Sequence, residues 1–126
     1  MELGSLNVDL YKCISESIAT DRVIITDEQL SHIFNHHPDA YEQALIELKT
    51  TIANPDFIFE DEKHSNTGLV VKSFSVGQDN LIIVLKICTN TNNGMLANSI
   101  ISGWKISEKR LANYLRNKTI LYRKDS

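Results

Sequence analysis

The stretch 45–59, LIELKTTIANPDFIF, contains the point at which the chain changes from a helical to an extended pattern. Up to Ile52 the apolar residues recur at intervals of three and four, which is typical of one buried face of a helix. Asn54 and Pro55 interrupt that pattern, and the apolar run at 57–59 indicates a strand. We therefore expect helices before Pro55 and strands after it, an order that favours an α+β fold over an alternating α/β fold.

Three helices are predicted before Pro55. An amphipathic stripe predicts the first helix over residues 1–20, and it consists of Leu3, Leu6, Leu10, Ile14 and Ile18. The run 26–29, TDEQ, has the capping-box pattern of a helix start, and this second helix should end near His37 because Pro38 disfavours helical geometry in the residue before it. Pro38 suits the first turn of a third helix. The inward residues of that helix are Tyr41, Ala44, Leu45, Leu48 and Ile52.

Four strands are predicted after Pro55, at residues 57–59, 69–76, 81–87 and 98–104. Their short polar connections predict a four-stranded antiparallel sheet on which the N-terminal helices pack. Ser107 is placed to cap a C-terminal helix, and residues 119–122 would either add an edge strand or trail. The chain is expected to be a single domain with an N-terminal helix (1–20), a core (22–104) and a basic C-terminal helix and tail (105–126).

Composition excludes several classes of protein. With 42% hydrophobic and 23% charged residues among 126, the chain is neither disordered nor of low complexity. No apolar run reaches the roughly 20 residues that cross a bilayer, and the start lacks the pattern of a secretory signal. We therefore expect a cytoplasmic protein without a membrane partner. Cys13 and Cys88 fit reduced thiols in that compartment.

The charge is unevenly distributed along the chain. The net charge of −3 argues against indiscriminate binding of nucleic acids. Residues 103–126, however, hold seven Lys and Arg against two Asp and Glu, a balance of +5, whereas the remaining 102 residues carry −8. This basic quarter is either a surface that contacts phosphate or a solvated helix and chain end.

Three of the four histidines lie within residues 32–37. His32 and His36 are four apart and share a helix face, whereas His37 directly precedes Pro38. Imidazoles titrate near pH 6.5, so two of them beside a phosphate can accept one proton and donate another. The alternatives are polar helix-end residues, or half of a zinc site that would lack a third ligand except the distant His64. We favour neither a metal nor a cofactor.

The strands carry polar residues where apolar ones are expected. Lys72 and Lys86 each lie inside an apolar run, and a half-buried ammonium needs an anion such as phosphate unless it reaches solvent. A hairpin pairing of Val76 with Leu81 would set the two lysines on opposite faces, with Lys72 opposite Leu85. A slip of one residue would set Lys72 opposite Lys86.

A period of two places Ile100, Ser102 and Trp104 on one face of the last predicted strand. There the Ser102 hydroxyl could bind a phosphate while the Trp104 indole stacks on a base. The alternative, which is more frequent for a tryptophan in a strand, is that Trp104 belongs to the core.

Several stretches of the chain together form a pattern. The front half consists of ITDEQLSHI at 25–33, HPD at 37–39 and IANPDFI at 52–58, and the back half of Asn66-Thr67, Lys72, Val84-Leu85-Lys86 and Ile100-Ile101-Ser102. In these stretches the chain resembles the phage-Barnase-EndoU-Colicin-RelE-like (BECR) nuclease domains. The resemblance covers residues 23–104. It implies a helices-then-sheet fold and a metal-independent endoribonuclease, often a toxin or a phage-associated effector.

The resemblance also implies site residues. The expected catalytic residues are His32, His37, Lys72, Lys86 and Ser102. We expect His36, which stands where the family commonly has Arg, to bind substrate together with Trp104 and Arg110. These roles require that the imidazoles of the second helix and the ammonium groups of the hairpin converge on one cleft.

The expected partner is RNA. A protein inhibitor or antitoxin is a second partner that the resemblance suggests, and the N-terminal helix offers a surface for a homodimer. The alternative function is a catalytically silent RNA- or protein-binding module of the same fold, such as a phage accessory or an immunity-type protein. The −8 charge of residues 1–102 supports that alternative.

Overall fold

The structure, a computed structural model, describes residues 1–33, 41–74, 79–89 and 97–124. The helices are α1 (Val8–Tyr11), α2 (Asp27–Ile33), α3 (Tyr41–Ala53) and α4 (Glu108–Asn117). The strands are β1 (Glu2–Ser5), β2 (Arg22–Ile24), β3 (Phe57–Glu60), β4 (Thr67–Lys72), β5 (Asn80–Lys86), β6 (Asn98–Ile106) and β7 (Ile120–Arg123).

The described strands form one sheet in the order β1-β2-β6-β5-β4-β3-β7. The α+β class is confirmed, as are the four predicted strands, now β3 to β6, with antiparallel neighbours. The expectation of a four-stranded, wholly antiparallel sheet is wrong, because β1, β2 and β7 extend the sheet to seven strands and β2 pairs with β6 in parallel. Of the two alternatives for residues 119–122, the edge strand is the one found, since β7 pairs with β3.

The predicted helix over residues 1–20 is wrong. Leu3 lies in β1, and α1 has only four residues. Of the apolar residues that suggested a helix, Leu3 and Leu6 are buried and the other three are partly buried against the core. Tyr11 of the same segment is fully buried, and its hydroxyl donates a hydrogen bond to the Ile52 carbonyl (2.7 Å). Gly4 has a φ of +101°, which breaks the regular pairing of β1 with β2. The suggested dimer surface therefore does not exist as a helix.

Helices cover both faces of the sheet. On the face that we call the α2/α3 face, Leu30 and Ile33 of α2 and Leu48 of α3 pack on strand residues such as Ile83. On the opposite face, the α4 face, Leu111 packs against residues such as Phe59. The starts of α2 and α4 are capped as predicted, because the Thr26 and Ser107 hydroxyls accept hydrogen bonds from backbone amides one turn on.

The β4–β5 register differs from both predicted registers. Lys72 pairs with Leu81, and Lys86 pairs with Thr67, so the two lysines lie at opposite ends of the hairpin. They also lie on opposite faces, Lys72 on the α2/α3 face and Lys86 on the α4 face. Strand β4 ends at Lys72 because the Asp56 carboxylate accepts a hydrogen bond from the Ser73 amide (2.8 Å). The Ser73 amide is therefore bonded to this side chain and not to a neighbouring strand.

A bulge in β6 separates residues that the sequence places on one face. Val84 pairs with Ser102 and Leu85 with Ile100, which leaves Ile101 as an extra residue. Ile100 therefore packs in the core of the α2/α3 face, whereas Trp104 packs on the α4 face. The prediction that Ile100 shares a face with Ser102 and Trp104 is wrong, because a strict period of two assumes an unbroken ladder.

Within the described ranges, no helix has the length and apolar content needed to cross a membrane.

Candidate functional site

A cavity opens on the α4 face between the sheet, the β3–β4 turn and α4, and we call it the sheet cavity. Leu69 and Val84 contribute its apolar floor. Ser102 and Trp104 project from β6, so the two residues predicted to contact phosphate and base line one cavity. The other lining residues are Asp61, Glu62, Lys63, His64, Ile101, Tyr114 and Lys118.

A second cavity lies where α2 meets the edge of β6, and we call it the bulge cavity. Its lining includes His32, together with Glu28 and Gln29 of α2 and with Ile101 and Ser102 of β6. The edge is available because β2 pairs with β6 only at Asn98 and Ser99. His32 is exposed on α2, whereas Ile33 beside it is buried.

The β6 bulge joins the two cavities. Ile101 and Ser102 line both of them. The extra residue of a bulge turns the strand and changes the direction of the side chains that follow, which is why bulges recur beside active sites. The bulge thus sets Ser102 between the imidazole of His32 on one side and the polar groups of the sheet cavity on the other.

The β3–β4 turn holds a histidine against a carboxylate. Nδ1 of His64 lies 3.1 Å from Oδ2 of Asp61, and Oδ1 of Asp61 accepts a hydrogen bond from the Lys63 amide (2.9 Å). Asn66 adopts a φ of +56°, which lets the turn close tightly before β4. The side chain of Asp61 is 14% exposed, and that of His64 is 64% exposed. The carboxylate is therefore inside the turn, while the imidazole remains open to the cavity.

The electrostatics of this pair favour an ionised carboxylate. Partial burial of Asp61 raises the pKa of its carboxyl, but the hydrogen bond from the His64 imidazole and the backbone hydrogen bond from Lys63 outweigh that effect. The pKa of Asp61 consequently lies below its usual range. An ionised carboxylate at Nδ1 orients an imidazole and stabilises its charged form, which leaves Nε2 for proton transfer.

Lysines bring positive charge to the sheet cavity. Lys118 follows α4, and its Nζ lies 4.9 Å from the centre of the Tyr114 ring. Lys63 is exposed on the turn. Lys86 is also exposed, and because strand residues two apart share a face, it projects from the α4 face about 7 Å beyond Val84. These ammonium groups offset the carboxylates of Asp61 and Glu62.

Lys72 does not join this group. Its Nζ lies 3.3 Å from Oδ1 of Asp56, and its side chain is only 13% exposed. The anion that the sequence led us to expect beside Lys72 is therefore this carboxylate of the chain itself. The expected convergence of Lys72 and Lys86 on one cleft is wrong, because they lie at opposite ends of the hairpin and on opposite faces.

The remaining predicted site residues are Arg110, His36 and His37. Arg110 is exposed on α4 one turn before Tyr114, and it is not among the described residues that line the sheet cavity. His36 and His37 lie outside the described residues, and so does half of the alternative zinc site. Within the part of the chain that the structure describes, no group of three or more His, Cys, Asp and Glu could hold a metal ion.

Neither the pairing of Asp61 with His64 nor the contribution of Lys118 was predicted from the sequence. A signal for the pair was present, since Asp61 and His64 are three residues apart in the polar run 60–66, EDEKHSN. Such a spacing lets an aspartate accept hydrogen bonds within its own turn. The position of Lys118 depends on how α4 crosses the sheet, which no local pattern encodes.

The comparisons with known proteins bear on the family. Residues 6–113 match the model of a family described as phage-Barnase-EndoU-ColicinE5/D-RelE like nuclease3 (PBECR3). Comparison with curated proteins gave no match. Comparison with solved structures gave none either. The matched segment begins just after β1 and ends within α4. It contains β6 and the β3–β4 turn, both of which contribute lining residues to the cavities. The resemblance noted from the sequence is thereby confirmed: the chain belongs to the PBECR3 family of BECR-type nucleases.

Proposed function

We propose that the chain is an endoribonuclease that cleaves RNA without a metal ion, at the β6 bulge. The observation that carries this proposal is that Ile101 and Ser102 line both the bulge cavity and the sheet cavity. A phosphodiester bound at Ser102 would therefore have an imidazole on one side and a polar, lysine-containing cavity on the other. The family supports nuclease activity, and the cavity residues support RNA as the substrate.

The proposed reaction is a transesterification by the 2′-hydroxyl. His32 or His37 accepts the proton of the 2′-hydroxyl, the 2′-oxygen forms a bond to phosphorus, and the bond from phosphorus to the 5′-oxygen breaks. An acidic group gives a proton to the leaving 5′-oxygen, and a 2′,3′-cyclic phosphate remains. Because the imidazoles exchange protons near neutrality, the rate should show a bell-shaped dependence on pH.

The other residues bind and stabilise charge. Lys86 and the Ser102 hydroxyl stabilise the negative charge that develops on the phosphoryl oxygens. Trp104 stacks on a base, and the side chains of His36 and Arg110 bind neighbouring phosphates. Lys72 has no place in this scheme, because Asp56 neutralises it.

RNA as substrate would place the enzyme in the cytoplasm. A ribonuclease there endangers its host, so a protein inhibitor or antitoxin is the proposed second partner. The competing function is a catalytically silent binding module of the same fold, which the acidic charge of residues 1–102 favours.

Incubation of the purified chain with bulk RNA in the presence of EDTA tests the proposal. The expected result is cleavage to fragments that end in a cyclic phosphate, with the rate lowered about 10²–10⁴-fold in His32→Ala if His32 is the base. A matched control is Lys12→Ala, because Lys12 is exposed and pairs only loosely with Asp9. RNA left intact by the wild-type chain, or full activity of His32→Ala, would contradict the proposal, and the first of these results would support the binding module.

A further inference from the structure

We propose that His64 is the general acid of the proposed ribonuclease reaction and that Asp61 is its positioning residue. This inference rests on the proposed function, which requires a group that protonates the leaving 5′-oxygen and does not name it. His64 has an Nδ1 hydrogen-bonded to Asp61 and an exposed imidazole in the cavity that contains Ser102.

The placement of His64 suits an acid better than a second base. In-line displacement at phosphorus puts the attacking and the leaving oxygens on opposite sides of the phosphorus atom. The bulge cavity with His32 and the sheet cavity with His64 adjoin each other at Ser102. In the proposed complex, a phosphate at Ser102 directs its 2′-oxygen toward His32 and its 5′-oxygen toward His64.

The charges around His64 also suit an acid. The carboxylate of Asp61 lies at Nδ1 of His64, and its low pKa keeps that carboxylate charged through the neutral range. In the reaction, the Nε2–H proton of the imidazolium moves to the 5′-oxygen as the bond from phosphorus to that oxygen breaks. The imidazole ends neutral and still hydrogen-bonded to Asp61. The proton released from the 2′-hydroxyl remains on the base, so the proton count balances.

Every titratable group near His64 contributes to this charge balance. From its own turn and strand these are Glu60, Asp61, Glu62 and Lys63; from α4 and the residue after it, Tyr114 and Lys118; and from the N-terminal segment, Cys13. Lys86, which pairs with Thr67 at the same end of the hairpin, adds a third ammonium group. Three carboxylates and three ammonium groups thus surround the turn, and Asp61 is the carboxylate that holds the imidazole.

A substrate that needs no acid distinguishes this role from a structural one. An aryl ester of uridine 3′-phosphate with a p-nitrophenyl leaving group releases a stable phenolate, so its cleavage needs the base but not the acid. We expect His64→Ala and His64→Gln to cleave RNA about 10²–10⁴-fold more slowly than wild type and to cleave the aryl ester within a few-fold of wild type. A variant that lacks the base should lose both activities.

The positioning role of Asp61 has a readout of its own. In Asp61→Asn the amide holds the imidazole less firmly at Nδ1, so kcat for RNA should fall while KM for RNA and the rate on the aryl ester stay within a few-fold of wild type. The inference is overturned if the His64 variants retain RNA cleavage, or if they lose the aryl ester activity as fully as the RNA activity. Failure of the wild-type chain to cleave either substrate would instead overturn the proposed function.

Discussion

At the scale of single residues, buried side chains make the hydrogen bonds to the backbone that regular secondary structure would otherwise make near the N-terminus. Asn98 is fully buried, and its Nδ2 donates to the carbonyls of Thr20 (2.8 Å) and Arg22 (3.0 Å). Its Oδ1 accepts from the Cys88 amide (2.8 Å). One side chain thus joins the end of β5 to the segment that enters β2, where a backbone ladder would otherwise be needed.

Replacement of Asn98 by alanine should lower the free energy of unfolding by about 2–4 kcal/mol, because three partly buried backbone groups lose their hydrogen bonds to this side chain. Urea denaturation followed by circular dichroism measures this change. Asn117→Ala is the matched control, since Asn117 is exposed and bonds only to Asn113. A loss at Asn98 no larger than at Asn117 would show that water replaces these bonds.

The residue scale also marks a limit of prediction from the sequence. The sequence indicated which residues belong to the candidate site, as with Ser102 and Trp104 in β6. It did not indicate which groups their side chains contact. Lys72 was predicted either to meet an anion such as phosphate or to reach solvent, and the structure pairs it with Asp56, which lies in the stretch 45–59. The contact depends on β3 and β4 being neighbours in the sheet, which is not a local property of either segment.

At the scale of elements, the predictable part of the fold is the part with strong local signals. Helix α2 begins at its predicted cap, α3 ends before Asn54 and Pro55, and β3 to β6 occupy the four predicted segments. The bulge in β6 and the hairpin register were missed because both depend on pairing between strands. These two features determine which side chains meet in the site.

The contact between α2 and β6 sets the shape of the bulge cavity. A Cβ atom on Gly103 would lie 3.1 Å from the Ile33 Cδ1 and 3.1 Å from the Ile82 carbonyl oxygen. Both distances are closer than normal packing, so the helix would have to move away from the strand. The absence of a side chain at Gly103 therefore lets α2, and with it His32, lie close to Ser102.

Gly103→Ala should lower the free energy of unfolding by about 1–3 kcal/mol through overpacking and should slow RNA cleavage. Adding Ile33→Val removes the Cδ1 atom, so the double variant should be more stable than the sum of the single changes predicts. Denaturant unfolding of the four proteins in this cycle gives the coupling. Strict additivity would mean that Ile33 does not resist the added methyl group.

At the scale of the whole molecule, the fold brings Lys118 of the basic C-terminal quarter into the sheet cavity and places Arg123 on the same face. Lys118 lines the sheet cavity, and the guanidinium of Arg123 lies 5.7 Å from the centre of the Phe57 ring on the same face. A chain with a net charge of −3 can therefore present positive groups where a polyanion is proposed to bind. The charge asymmetry was visible in the sequence, whereas its location beside the cavity required the packing of α4 and β7.

The decisive experiment is a crystal structure of the wild-type chain with a dinucleotide that lacks the attacking 2′-hydroxyl. We expect a phosphate within hydrogen-bonding distance of the Ser102 hydroxyl, with the imidazoles of His32 and His64 on opposite sides of it. A phosphate bound on the α2/α3 face, or anywhere remote from Ser102, would show that the β6 bulge is not the site of cleavage.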